Sequence, residues 1–172
     1  ITTIAQDSRG QLWFGTWVGL YRYDGFNAKL YKSNIHKENT LTSNKITHIL
    51  STKIGDLYIA TLRGGVLKYR FEYDDFVPVP FEGNTLNSLK NNVWHLYEDK
   101  YENIWAATEK GLGILRKGKS AFENDDAFLK SKINSKRAQF ITNASSDYLW
   151  VGTDDGVYVY FTDKQGSIHE MS

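Results

Sequence analysis

Apolar positions in this chain follow two nested rhythms. Locally they come in short alternating or continuous stretches bounded by Gly, Asp and Asn, which predicts short β-strands. Over a longer distance one five-residue phrase returns: LWFGT at Leu12 to Thr16, LYIAT at Leu57 to Thr61, IWAAT at Ile104 to Thr108 and LWVGT at Leu149 to Thr153. The threonines of the phrase lie 45, 47 and 45 residues apart, so the chain is one unit written four times. An apolar pair precedes the phrase in each unit: Ile1 and Ile4, Ile46 and Ile49, Val93 and Leu96, Ala138 and Ile141.

Between pair and phrase lies a turn, complete in Asp7-Ser8-Arg9-Gly10 and altered in later copies. An opening Asp and a closing Gly suit a type I turn. After each phrase comes a glycine, Gly19, Gly64, Gly111 or Gly156, that lets the chain reverse into a third strand. In the first unit that strand ends at Asp24-Gly25, a strong hairpin signal. Each unit is therefore expected to hold four short strands. In the first they are Thr2 to Gln6, Gln11 to Thr16, Leu20 to Asp24 and Asn27 to Lys32. The second unit has a long third strand, Val66 to Glu72, and a fourth containing Pro78 and Pro80, which must be a sheet edge because proline lacks a ladder donor.

The connector Asn39-Thr40-Leu41-Thr42-Ser43 is echoed by Asn84-Thr85-Leu86-Asn87-Ser88. The third unit has a less regular tail from Lys117 to Arg137, and the last strand is expected near Ser167 to Met171. The units run approximately 1–44, 45–91, 92–137 and 138–172. Four-stranded antiparallel units of this period with a Trp-Gly-Thr signature predict an all-β fold of β-propeller blades. First strands such as Ile46-Thr47-His48-Ile49-Leu50 do not alternate cleanly, as expected of small sheets buried on both faces.

The phrase and its surroundings resemble the two-component regulator propeller repeat, which reads as an apolar pair, D-x-x-G, L-W-φ-G-T, x-x-G-L and Y-D. The first unit matches at Ile1, Ile4, Asp7, Gly10, Leu12, Trp13, Gly15, Thr16, Gly19, Leu20, Tyr23 and Asp24, whereas the second departs at Thr52 and Tyr58. The resemblance implies the periplasmic sensor region of a hybrid two-component system of Bacteroidetes type. There, seven-bladed propellers precede a membrane helix, a histidine kinase and usually a DNA-binding response regulator, and oligosaccharides trigger polysaccharide-utilisation genes. On that footing the chain is expected to be an open arc of four blades from a longer sensor, lying outside the cytoplasm and tied to a membrane only through its parent chain. The exposed ends of such an arc should pack on a second copy or on the remaining blades.

Composition narrows the partners. Net charge is +1, from 21 basic and 20 acidic residues without blocks of one sign, which argues against a phosphate-tracking nucleic-acid surface. Cysteine is absent, so disulfides and thiol chemistry are excluded. No run of eighteen apolar residues occurs, and Ile1 opens no signal-peptide pattern.

Candidate chemistry is sparse. His48 and His95 occupy equivalent places on innermost strands, where a pair of imidazoles suits metal binding or proton transfer. Their equivalents are Thr3 and Phe140, which favours packing. Asp7, Asp99 and the pair Asp154-Asp155 read as turn residues, because neighbours at a hairpin tip lack the separation that glycoside hydrolysis needs. Trp13, Trp105 and Trp150 are repeat positions and belong to blade packing, while Trp17 and Trp94 are off-pattern. An exposed indole beside a hairpin can stack on a sugar ring.

Propellers commonly bind ligands on the face carrying the loops between second and third strands. The ligand-binding candidates are accordingly Trp17, Arg63, Lys110 and Asp154, with Arg63 and Lys110 placed to meet acidic or hydroxyl-rich sugars. No metal, cofactor or catalytic set is expected. The preferred reading is a ligand-sensing module, the alternative is a protein-interaction or dimerisation scaffold, and an enzyme such as a propeller lyase lacks a constellation to support it.

Overall fold

The computed structural model describes residues 1–83, 91–123, 133, 136–145, 148–162 and 168–170. The expected echo of the connector at 84–88, the turn residue Asp147 and most of the tail between 117 and 137 lie outside them. The described residues form fifteen strands and no α-helix. The first sheet contains β1 (Thr3–Gln6), β2 (Leu12–Gly15), β3 (Leu20–Tyr23) and β4 (Ala28–Tyr31). The second contains β5 (Ile46–Ser51), β6 (Leu57–Thr61), β7 (Gly65–Arg70) and β8 (Asp75–Val79). The third contains β9 (Val93–Glu98), β10 (Ile104–Thr108) and β11 (Gly111–Leu115). The fourth contains β12 (Ala138–Ser145), β13 (Tyr148–Thr153), β14 (Val157–Thr162) and β15 (Ile168–Glu170).

Each sheet is an antiparallel meander in chain order, so each is a blade. In the third, the expected fourth strand is represented among the described residues by a single antiparallel bridge from Ile114 to Glu123. Next to it, Phe122 bridges in parallel to Phe81, tying the outer edges of blades 2 and 3. Innermost strands pack in succession, β1 on β5, β5 on β9 and β9 on β12. The blades thus follow one another as an arc, with three apolar layers between four sheets.

Two faces can be assigned to every blade. In blade 1 the row Ala5, Trp13, Arg22 and Lys29 turns toward blade 2, and the row Ile4, Phe14, Tyr21 and Leu30 turns the other way. Trp13 enters a cluster with Ile49, Leu57, Ile59 and Tyr69 of blade 2, and Trp105 enters one with Ile141, Leu149 and Val151 of blade 4. Both indoles are fully buried, and each keeps a partner for its N–H. Trp13 Nε1 donates to Asp7 Oδ2 at 2.7 Å and Trp105 Nε1 to Asp99 Oδ2 at 2.9 Å.

The other oxygen of each Asp holds the turn: Asp7 Oδ1 accepts from the Arg9 and Gln11 N–H groups, Asp99 Oδ1 from those of Tyr101 and Asn103. The repeated Asp therefore does more than open a turn. It lets a buried indole satisfy its donor, which would otherwise cost about 1–3 kcal/mol.

Candidate functional site

The fifth residue of the phrase shapes the loops that face the candidate surface. Thr16, Thr61, Thr108 and Thr153 each donate their hydroxyl to a glycine carbonyl across the hairpin, at 2.7, 2.9, 2.9 and 2.9 Å. The glycines, Gly19, Gly65, Gly111 and Gly156, all have positive φ. In blade 2 the accepting glycine is Gly65, not Gly64, and Arg63 takes the other left-handed position with φ 68°. The loops are anchored to the strand approaching the same blade: the Leu62 N–H donates to Lys45 O, Glu109 to Asn92 O and Asp154 to Arg137 O.

Trp17, Arg63, Lys110 and Asp154 sit on these loops with their side chains in solvent. Trp17 is 52% exposed. The Arg63 N–H donates to Asn92 Oδ1 at 2.9 Å and the Lys110 N–H to Thr108 Oγ1 at 3.1 Å, so backbone and not side chain fixes both. Among the described residues no hydrogen bond, ion pair or ring contact joins any two of the four. They are a set of separate surface positions, one per blade.

The second off-pattern indole has a different role. Thr2 and Thr47 donate their hydroxyls to the first carbonyl of the following blade, Ile46 O at 2.8 Å and Val93 O at 2.6 Å. Trp94 stands at the equivalent place in blade 3, and its Nε1 donates to Glu109 Oε2 at 3.0 Å. Glu109 Oε1 accepts from Arg137 Nε at 2.8 Å, and the Arg137 guanidinium carbon lies 5.8 Å from the Trp94 ring centre. The blade-to-blade tie is carried here by three side chains.

Along the inner wall, Thr3, His48, His95 and Phe140 pair with the fourth residue of each phrase, Gly15, Ala60, Ala107 and Gly152. The His48 and His95 ring centres are 3.9 Å apart, and His95 lies 4.3 Å from Phe140. His48 Nδ1 accepts the Leu96 N–H at 3.3 Å, whereas His95 Nδ1 is buried without a partner. Burial, helped by the charge of His95, pushes His48 down to about 3, and burial takes His95 down to about 4. The pair is therefore neutral at pH 7 and works as a stacked packing element. No group of three metal-ligating side chains occurs among the described residues.

A feature the sequence reading missed lies on the outer flank of blades 1 and 2. Asp74, in the turn between β7 and β8 with φ 54°, accepts from Arg22, Lys29 and the hydroxyls of Tyr31 and Tyr69. Burial opposes its ionisation, but hydrogen bonds from Lys29, Tyr31 and Tyr69 and the charge of Arg22 outweigh it and hold the carboxyl at about 2. Burial and the Asp74 contact push Tyr31 well above the usual phenol range. Beside this hub a cleft of about 470 Å3 opens between β4, the connector and β8. A second cleft of about 410 Å3 continues on the other side of the same connector and includes Arg63. Only a turn carboxylate five residues after the aromatic strand position Tyr69 hinted at it, since its walls come from segments far apart in the chain.

Residues 1–18 and 87–110 match the two component regulator propeller family. These segments carry two-component regulator propeller repeats. They include the phrases of blades 1 and 3, the two that keep both the Asp and the Trp of the buried indole contact. No curated protein matches the chain.

Among solved structures, the chain is similar to the extracellular domain assigned to a hybrid two component system of B. thetaiotaomicron, with 23% identity and a TM-score of 0.81. The likeness covers 99% of this chain and 24% of that one. A second such domain from B. thetaiotaomicron gives 23% identity and a TM-score of 0.74 over 98% of this chain and 22% of that one. Virginiamycin B lyase from Staphylococcus aureus, solved as its selenomethionine form, gives 14% identity and a TM-score of 0.67 over 98% of this chain and 54% of that one. All three likenesses concern the fold. The chain spans about a quarter of the length of the B. thetaiotaomicron domains.

The repeat explains the departures in blade 2. Where the family has Asp and Trp, blade 2 has Thr52 and Tyr58, and the two changes belong together. Tyr58 carries no indole N–H to satisfy; its hydroxyl bonds Asp56, while Thr52 holds the turn through its own hydroxyl and the Asp56 backbone.

Proposed function

We propose that the chain is part of the extracytoplasmic, periplasmic propeller of a hybrid two-component sensor, and that it reports an oligosaccharide to a histidine kinase elsewhere in its parent chain. The reading rests above all on the repeat match in blades 1 and 3. The likeness in fold to extracellular domains of hybrid two component systems supports it. On this reading Trp17, Arg63, Lys110 and Asp154 are contacts offered by successive blades, the indole stacking on a sugar ring and the charged groups meeting hydroxyls or acids. The chain itself carries out no chemistry.

Calorimetric titration with a broad oligosaccharide panel tests this directly. Saturable binding by at least one glycan is the expected result; silence across the panel contradicts sugar sensing. A second reading, a dimerisation scaffold, is favoured by the exposed aromatic row on blade 4, where Phe140, Tyr148, Trp150 and Phe161 are all substantially exposed. Sedimentation velocity at rising concentration separates the two, since a scaffold of this kind associates without any glycan.

A further inference from the structure

The geometry points to a binding groove for an acidic, hydroxyl-rich oligomer on the outer flank of blades 1 and 2, built around the connector from Ser33 to Thr42. This inference takes the saccharide class from the proposed sensor role and adds the charge of the ligand and the place where it binds.

The first observation is shape. The two clefts of about 470 and 410 Å3 share the connector residues Asn34, Lys37, Asn39 and Thr40 as a common wall. Each is within the size range of sites for small ligands, and together they form a two-chambered groove. The connector between them is held in place: the Ser33 N–H donates to Asn44 Oδ1 at 2.8 Å, and Asn39, at φ 55°, presents its carbonyl to the Phe76 N–H of β8 at 3.0 Å. A groove whose central wall is fastened at both ends is organised before a ligand arrives, which lowers the ordering cost of binding.

The second observation is charge. The carboxylates that line the groove are already committed: Asp74 to Arg22 and Lys29, and Asp75 to Arg70 through two parallel bonds of 2.7 and 2.5 Å. Three of the four lining cations are not. Lys32, Lys37 and Arg63 have no side-chain partner among the described residues, and the one uncommitted carboxylate beside them is Glu38. The groove therefore offers three free positive groups against one negative group. It adds the amides of Asn34 and Asn39, suited to hydroxyls, and the half-exposed ring of Tyr73, suited to the apolar face of a sugar. Carboxylate or sulfate substituents answer the cations, and charge-assisted bonds of this kind are about twice as strong as neutral ones.

The test titrates the 172-residue chain with an oligogalacturonate, its fully methyl-esterified form, and a panel of neutral oligosaccharides, by calorimetry. The acidic oligomer is expected to bind, and its affinity to fall steeply as ionic strength approaches about 1 M, where the screening length is about 3 Å. Lys32→Ala combined with Lys37→Ala should weaken it by about tenfold, the loss expected from one charge-assisted bond. Glu38→Gln should tighten it by about threefold, an outcome that unfolding cannot imitate.

Equal binding of the esterified form, or unchanged affinity in both variants, overturns the inference. Binding of a neutral oligosaccharide with silence toward the acidic one overturns it too and leaves the sensor reading standing. Silence toward every oligosaccharide removes both.

Discussion

Blade 1 and blade 4 present the same face under opposite conditions. In blade 1 the face carrying Trp13, Gly15 and Leu20 is covered by blade 2, and Trp13 is 0% exposed. In blade 4 the equivalent face carries Trp150 and Gly152 with no further blade against it among the described residues, and Trp150 is 40% exposed. A Cβ added at Gly15 would lie 2.5 Å from Thr3 Cγ2 and 2.7 Å from Ile46 Cγ2; at Gly152 it would meet nothing closer than Phe140 Cβ at 3.8 Å. The same phrase is thus a core element in one place and a surface in the other. What the repeat encodes is a face, and the neighbouring blade makes that face a core.

The comparison predicts the largest effect at the indoles. Trp13→Ala removes a fully buried ring and strands Asp7, and should cost about 4 kcal/mol in urea unfolding. Trp150→Ala should cost less than about 1 kcal/mol; equal costs would mean that blade 4 is covered after all.

A smaller effect belongs to the inner wall, where the stacked pair His48 and His95 gives way to Phe140 in the last blade. Both histidines sit below their ordinary value of 6.5 in the folded state, so the unfolded chain takes up protons first as pH falls. Stability is full above about pH 6.5 and declines as pH drops toward 4, by about 2 kcal/mol for each histidine between pH 7 and pH 5. His95→Phe, which copies blade 4, should flatten that decline in pH-dependent denaturation; an unaltered slope would place the acid sensitivity elsewhere.

Next in size, Gly15→Ala should cost about 1–2 kcal/mol because Ile46 and Thr3 must give way, while Gly152→Ala should stay within about 0.5 kcal/mol. Blades 2 and 3 carry Ala at this position, and there the residue of the next blade that takes the place of Ile46 is the smaller Val93 or Ala138.

The smallest expected effect is at the flank. Asp74→Asn should cost about 1 kcal/mol at pH 7, a figure held low because its side chain is about a third exposed. Since the Asp74 pKa is lowered to about 2, its contribution is present above about pH 4 and fades as pH falls through 2. Thermal melts at pH 7 and pH 2 should show the variant converging on the parent protein.

The strands were legible because their signals are local. Period, turn glycines and apolar pairs predicted β1 to β4 with bounds within a residue of those observed. The edge position of the proline-bearing β8 followed from the missing ladder donor. The pairing of Asp with Trp was written in the sequence as two separate repeat positions, but its physical content, a carboxylate shared between a turn and an indole, needs the fold to bring residues six apart together.

Trp94 illustrates the opposite limit. Its off-pattern status was visible, yet its partners Glu109 and Arg137 come from a loop and from the next blade. The flank groove is further still from local rules, since Lys29, Lys37, Arg63 and Asp74 belong to four segments that only the stacking of two blades makes neighbours.

The central claim is that the repeated indole is buried wherever a following blade covers it and open where none does. Hydrogen exchange of the indole N–H groups, read by NMR at low protein concentration, measures this residue by residue. Trp13 and Trp105, bonded to Asp7 and Asp99, should be strongly protected, and Trp150 should exchange at once. Protection of Trp150 equal to that of Trp13, or rapid exchange at all three, would contradict the account.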